Sequence, residues 1–307
     1  MKGRILYILR NENGIVSGET ISSALGISRV SIWKHIRKLQ ESGYDIRSTP
    51  TGYQLNGSPD VPFPWEFPER EKHIHYYAKV SSTMDIARDL ARKGCPSFTV
   101  VIAGSQTMGR GRLKRSWLSD EGGLYFTVVI RPDIPLIMSS RVNFMASVAL
   151  VKTLRDMFGI EAMVKWPNDI LISGRKISGM LSEMEAEADL VSFINIGIGV
   201  NANNDPVPEE PMSTSLKRLV GRNVSRKEIL DSFLNLFEIK INEGNYEDVL
   251  LQWKENTITL NREVKIVTTS GEFYGTAIDV DDNGSLLLKQ PDGCIKTVLF
   301  GDCFHID

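Results

Sequence analysis

Apolar positions in the first 57 residues recur at helical spacing. "ILYILR", from Ile5 to Arg10, predicts one short helix. Ser17 stands as an N-cap before "ETISSALGI", whose Ile21, Leu25 and Ile27 can share a core face, and Gly26 ends that helix. Ser28 caps a longer segment, "RVSIWKHIRKLQESG", in which Val30, Ile32, Ile36 and Leu39 are read as an apolar stripe while Arg29, Lys34, Arg37 and Lys38 project elsewhere. After Gly43, "YDIRSTPTGYQL" reads as two short strands around the turn residues Pro50 and Gly52. The pattern is helix, turn, basic helix and hairpin. The next stretch, "GSPDVPFPWEFPER", holds four prolines and neither period, which predicts a stiff linker or strap with Phe63, Trp65 and Phe67 packed on a neighbouring domain.

Further on, "HIHYYAKV" predicts a strand, "SSTMDIARDLARKG" a capped helix ending at Gly94, and "FTVVIAGSQT" and "GLYFTVVIRP" two buried strands. "VKWPNDILISGRKISGMLSEM" reads as a strand, a turn at Pro167-Asn168, and a two-stranded hairpin around Gly174. "FINIGIGVNAN" adds a strand in which Gly197 and Gly199 admit close approach of a ligand or another backbone. The last 48 residues alternate over short runs, "EVKIV", "GEFYGTAIDVD", "GSLLLKQ" and "CIKTVLF", broken by Gly/Asp turns.

Charge changes this picture at one end. Residues 1–57 hold eight Lys/Arg and four Asp/Glu, a balance of +4 that leaves −6 for the remainder, and a basic terminal module suggests a polyanionic partner. The 307 residues are 42 % hydrophobic and 24 % charged, which excludes a disordered chain and leaves room for two or three domains. Cys95, Cys294 and Cys303 fit neither a disulfide framework nor a zinc site, so a reducing cytoplasm is the simplest compartment. No apolar run approaches the roughly 20 residues of a membrane span, so no membrane association is expected.

The candidate chemistry begins at "MGRGRLKRSW", which packs four basic residues and two glycines into ten positions. Gly109 and Gly111 are expected to take φ > 0 and turn amides inward, with Arg110, Arg112, Lys114 and Arg115 supplying positive charge: an anion cradle. The spacing is neither that of a P-loop nor that of a dinucleotide fingerprint. Taken alone, a basic, glycine-containing loop is more often just an exposed connection.

Four motifs in order remove that ambiguity: Gly-Arg-Gly-Arg-x-x-Arg-x-Trp at 109–117, Lys-Trp-Pro-Asn-Asp at 165–169, Arg-Lys-Ile-Ser-Gly at 175–179 and Gly-x-Gly-x-Asn at 197–201. Together they resemble the biotin–protein ligases, and the match spans the whole chain. The N-terminal block resembles the winged helix-turn-helix of bifunctional family members. The resemblance implies an α+β protein: a winged helix at 1–57, a proline-rich linker at 58–70, a class II synthetase-like α/β catalytic domain at 71–257 and an SH3-like β-barrel at 258–307.

The resemblance also implies the chemistry. Biotin and ATP, with Mg2+, would give biotinyl-5′-AMP, from which biotin passes to a lysine of a biotin carboxyl carrier protein or domain. It makes Lys176, Arg112 and Asp169 the catalytic candidates, with Asp169 also a candidate for Mg2+. Ser82, Thr83, Gln106, Arg110, Gly111, Arg112 and Lys176 would bind biotin; Arg115, Trp117 and Asn201 would bind the nucleotide. On the residues alone, Ser82 and Thr83 are equally plain N-caps, Trp117 a core aromatic and Lys176 a surface lysine at a hairpin turn. In the winged helix, Arg29, Ser31, Lys34, His35 and Lys38 are candidates to face operator DNA, with the protein a homodimer when loaded with biotinyl-AMP. The rival reading is a DNA-binding biotin sensor without transfer activity. Met84 departs from the family, where an asparagine is common beside the Ser-Thr pair, as do Met108 and Lys114 in the basic loop.

Overall fold

The computed structural model describes residues 1–12, 14–206 and 212–306, with Lys114 described by its backbone alone. Two compact units divide the chain, Met1–Ile74 and His75–Asp307.

The first unit contains α1 (Lys2–Asn11), α2 (Gly18–Leu25), α3 (Arg29–Glu41), β1 (Asp45–Thr49) and β2 (Gly52–Gly57). Both predicted caps form: the Ser17 hydroxyl accepts from the Thr20 amide at 2.9 Å and Ser28 from the Ser31 amide at 3.2 Å. Each satisfies an amide that has no partner inside its helix. Ile5, Leu6, Leu9, Ile21, Ile32, Ile36 and Leu39 form the core. Val30 does not join them, being 63 % exposed. Ile32, Ile36 and Leu39 follow the i, i+4, i+7 face, and a residue two positions before Ile32 falls on the opposite side. Antiparallel β1 and β2 make the expected hairpin, and paired 2.8 Å bonds between Val16 and Tyr53 tie it to the turn ahead of α2.

Residues 58–70 are not a free spacer. Pro64–Glu66 form one 3-10 turn, and Phe63 and Trp65 pack on the core of the helical unit itself. Trp65 stacks on Phe63 with centroids 4.5 Å apart and donates from Nε1 to the Tyr44 hydroxyl at 3.0 Å. Glu66 accepts from Arg10 at 2.9 Å and from the Tyr44 hydroxyl. Aromatic burial and a paired carboxylate hold the strap down where proline stiffness alone would let it swing.

The second unit is built on β3 (Ile74–Val80), α4 (Thr83–Arg92), β4 (Thr99–Gln106), β5 (Leu124–Ile130), α5 (Ser139–Phe158), β6 (Ala162–Lys165), β7 (Asp169–Ile172), β8 (Arg175–Glu187) and β9 (Leu190–Val200). Short α6 (Leu216–Val220), α7 (Arg226–Glu243) and α8 (Asp248–Glu255) follow. The strands form one sheet in the order β3-β4-β5-β9-β8-β7-β6. Every residue of β5 is buried because both sheet faces are covered. On one face α4 packs Ala87 and Ala91 against Val101, Val129 and Phe193. On the other, α5, α7 and α8 supply an aromatic layer in which Phe233 meets Phe126 at 5.5 Å and Trp253 meets Phe144 at 5.0 Å.

The C-terminal part adds β10 (Glu263–Thr268), β11 (Gly271–Val280), β12 (Leu286–Lys289), β13 (Ile295–Val298) and β14 (Asp302–His305), a five-stranded antiparallel sheet in the order β13-β12-β11-β10-β14. It is anchored to the larger sheet through Trp166, whose indole donates to the Gly284 carbonyl at 3.0 Å.

Candidate active site

A cavity of about 890 Å³ opens on the α4 side of the sheet, walled by the basic loop, the β6–β8 segment, the paired glycines of β9 and the strand β14. One end is polar and buried. Ser82 is the N-cap of α4 by position, yet its side chain makes no capping bond; its hydroxyl, on a residue only 1 % exposed, has no partner among the described residues and faces the cavity. Gln106 takes over the cap: its side-chain carbonyl accepts from the Thr83 amide at 2.8 Å and the Thr83 hydroxyl at 3.1 Å. Its amide nitrogen donates to Ser119 at 2.9 Å, and Thr127 donates to Thr83 at 2.9 Å. A row of oriented donors and acceptors with one unspent hydroxyl suits a small, neutral, polar head group.

The floor is backbone. A Cβ on Gly199 would stand 2.4 Å from the Trp117 indole, and one on Gly197 would stand 2.6 Å from the Met84 sulfur. The glycines therefore let Trp117 and Met84 lie flat on β9. The Trp117 Nε1–H is buried without a partner among the described residues.

The other end is cationic. Lys176 extends its amine to within 2.8 Å of an Asp169 oxygen and 5.1 Å of the Trp117 ring centre. Hairpin geometry explains the pairing, since β7 and β8 are joined by a tight turn at Ser173-Gly174 and Lys176, whose cross-strand partner is Leu171, reaches diagonally to Asp169 two residues along β7. Arg112 donates to the Gly301 carbonyl at 3.2 Å, and burial lowers its pKa while the charges of Asp302 and Asp169 oppose that fall. Arg115 pairs with Asp302.

The loop departs from the expected cradle. Neither Gly109 nor Gly111 has positive φ; the left-handed residue is Leu113, with φ 50°. Gly109 is needed for room, because a Cβ there would meet the Trp117 carbonyl at 2.3 Å. The Gly111 amide donates to the Arg115 carbonyl at 2.8 Å, so it is spent inside the loop. Arg110 turns away to Asp85 at 2.9 Å and Glu183 at 3.3 Å. The side chain of Lys114, expected to add charge here, lies outside the described residues.

Ser82, Thr83, Gln106, Arg110, Gly111, Arg112, Arg115, Trp117, Asp169 and Lys176 all line the one cavity. Asn201 does not. It is a framework residue whose amide donates to Ile177 and whose side chain accepts from Asn204 at 3.1 Å, bordering a separate crevice that Trp117 also touches. Sequence reading missed Asp302 and Phe304, which β14 brings to the cavity from the far end of the chain. It also missed Asp85 and Glu183, for which an acid in the first turn of α4 was the available signal. Among the described residues no three His, Cys, Asp or Glu cluster to hold a metal, and Asp169 is a single carboxylate already paired with Lys176.

On α3, Arg29, Lys34 and Lys38 are exposed and Ser31 half-buried, whereas His35 lies toward α1, its Nδ1 buried without a partner among the described residues. Burial lowers the His35 pKa, helped by the N-terminal amine, Lys38 and Lys2.

Comparison with known proteins agrees with this geometry. The model of the biotin/lipoate A/B protein ligase family matches residues 76–201, an HTH domain matches 3–54, and the biotin protein ligase C-terminal domain matches 259–306. The chain is 36 % identical over 305 residues to the bifunctional ligase/repressor BirA of Bacillus subtilis, covering 94 % of each protein. It is 29 % identical to the bifunctional ligase/repressor BirA of Escherichia coli, covering 93 % of this chain and 91 % of that one. Among solved structures, the biotin protein ligase from Aquifex aeolicus in complex with biotin and ATP superposes with a TM-score of 0.64 at 28 % identity, covering 76 % of this chain and 97 % of that one.

Proposed function

Because the chain belongs to the biotin protein ligase family, we propose that it activates biotin with ATP and transfers it to a lysine of a biotin carboxyl carrier protein or domain. The observation that carries this reading is the two-ended cavity: oriented hydrogen-bonding groups at Ser82, Thr83 and Gln106, and the Arg112 and Lys176 cations at the other end.

In the first half-reaction a biotin carboxylate oxygen bonds to the α-phosphorus of ATP and pyrophosphate leaves. Two anions must approach each other, so fixed positive charge is required where they meet. Lys176 and Arg112 stand at that end. Asp169 orients the Lys176 amine through their 2.8 Å contact, and the indole of Trp117 is available as a flat wall for adenine. In the second half-reaction the neutral carrier amine attacks the biotinyl carbonyl carbon, AMP departs with the bonding electron pair, and the surplus proton on the new amide nitrogen is released to solvent. Lys176 then holds the charge that stays on the phosphate.

The residues fit a Mg2+ ion that arrives with the nucleotide better than a resident one. Such an ion keeps much of its water and takes most of its protein contact from one or two carboxylates, for which Asp169 is the candidate. When bound, it would neutralise polyphosphate charge. Unpaired cysteines and a nucleotide substrate suit a cytoplasmic enzyme.

The capped, basic helix-turn-helix supports a second role as a repressor of biotin genes, acting as a homodimer when loaded with biotinyl-AMP. Coupling between adenylate and DNA would then be reciprocal. The deciding experiment supplies labelled biotin, ATP, Mg2+ and a carrier domain to the wild type and to Lys176→Ala. Label on the carrier lysine with the wild type and not the variant is expected. Absence of both adenylate and transfer with the wild type would leave a DNA-binding sensor.

A further inference from the structure

Helix α3 shows solvent more than charge. At about 100° per residue, Val30, Lys34 and Arg37 fall opposite the buried Ile32, Ile36 and Leu39. Val30 is 63 % exposed, and Trp33, one turn further on, is 47 % exposed. Residues three apart on a helix are neighbours, so the two make a short apolar strip. Arg37 lies over the Trp33 ring at 5.1 Å, flanking the strip with a cation. The helix otherwise carries Arg29, Lys34 and Lys38, against the single acid Glu41.

A narrow apolar strip bordered by four cations and one acid complements a polyanion that has small apolar features of its own. A duplex major groove has one, the thymine C5-methyl, and it lies between two lines of phosphate. Val30 suits that target, because a β-branched residue in a helix holds essentially one rotamer and presents its methyl groups at a fixed place. It stands one residue inside the Ser28-capped N-terminus, and N-terminal residues of a recognition helix are those that reach base edges.

We propose that Val30 and Trp33 form an apolar reading pair for thymine methyl groups, so that the DNA site of this chain requires thymine at fixed positions facing the first half of α3. The proposal rests on the repressor reading above. Under it, Lys34 and Lys38 contribute phosphate contacts that carry no sequence information, while Val30 carries discrimination.

The test uses the full chain with biotin, ATP and Mg2+. A randomised duplex library is selected for binding, and in the enriched duplex each thymine is replaced in turn by uracil, which removes only the methyl group. At one or two positions the wild type should lose roughly four-fold in affinity, the value of one buried methyl. Val30→Ser should bind thymine and uracil alike at the position Val30 faces, Val30→Thr should restore part of the difference there, Trp33→Gln should remove the difference at the position Trp33 faces, and Lys34→Ala should weaken both duplexes equally with a shallower salt dependence. Since Val30 is mostly exposed, its replacement leaves the core intact, and circular dichroism checks that. Enrichment without uracil sensitivity, or sensitivity that persists at every position in the Val30→Ser, Trp33→Gln double variant, would overturn the proposal alone. No enrichment of any duplex would remove the repressor reading and the proposal with it.

Discussion

Arg110, the first arginine of the basic loop, is held 2.9 Å from Asp85 and 3.3 Å from Glu183 and does not reach into the cavity with its charge. Arg88 bridges the same two carboxylates, at 2.6 Å and 3.4 Å, so the four residues form one network between α4, the loop and β8. The arrangement makes Arg110 a positioning residue for the loop whose later members, Arg112, Arg115 and Trp117, line the cavity.

Loosening that clamp should affect binding more than chemistry. Asp85→Asn combined with Glu183→Gln removes pairs that are one-third exposed, so a total of about 1 kcal/mol is expected, roughly five-fold in the KM for biotin. The value of kcat should change little, and raising salt should narrow the gap between wild type and variant. Steady-state kinetics at two ionic strengths checks both.

Lys176→Met keeps the length of the side chain and removes its charge. If the amine stabilises developing negative charge, adenylate formation should slow by about 10²–10³. Lys176→Arg should not restore it, because a planar guanidinium cannot take the place of a compact ammonium held by Asp169. Pyrophosphate release in the absence of carrier isolates this step.

A methyl group at Gly199 has no room. Gly199→Ala should displace the Trp117 indole or strain β9, costing about 1–3 kcal/mol of stability and raising the KM for ATP. Combining it with Trp117→Leu should recover part of the lost Tm, the coupling expected of two groups in contact. If the two changes add without coupling, Trp117 does not rest on that floor.

Gln106→Leu removes the acceptor that serves the Thr83 amide and hydroxyl together. Leaving that buried donor unpaired costs about 1–3 kcal/mol of stability, read as a lower Tm, and loss of the fixed Thr83 orientation should weaken biotin binding measured by calorimetry. Affinity for ATP alone should hold.

Much of the architecture was legible in the chain because its signals are local. Ser17 and Ser28 cap their helices through amides three residues away, and Ser173-Gly174 reverses the β7–β8 hairpin with residues that sit beside each other in sequence. The pairing of Lys176 with Asp169 belongs here too, since a tight hairpin brings its own arms together. The ordered motifs likewise located the cavity lining, with Asn201 the exception.

Other features belong to the tertiary structure because they depend on which distant groups compete for the same atoms. Composition made the loop a bare anion cradle, but Asp85, Glu183 and Asp302 neutralise two of its arginines, and the last of these arrives from nearly two hundred residues away. Apolar character groups Val30 with the core, although at about 100° per residue it falls opposite Ile32, Ile36 and Leu39 and is exposed. Proline content made residues 58–70 a spacer, and burial of Phe63 and Trp65 fixed them to the helical unit. A sequence specifies which residues are able to pair or bury; only the folded chain decides which partner each one meets, because charge pairing and apolar burial act through space.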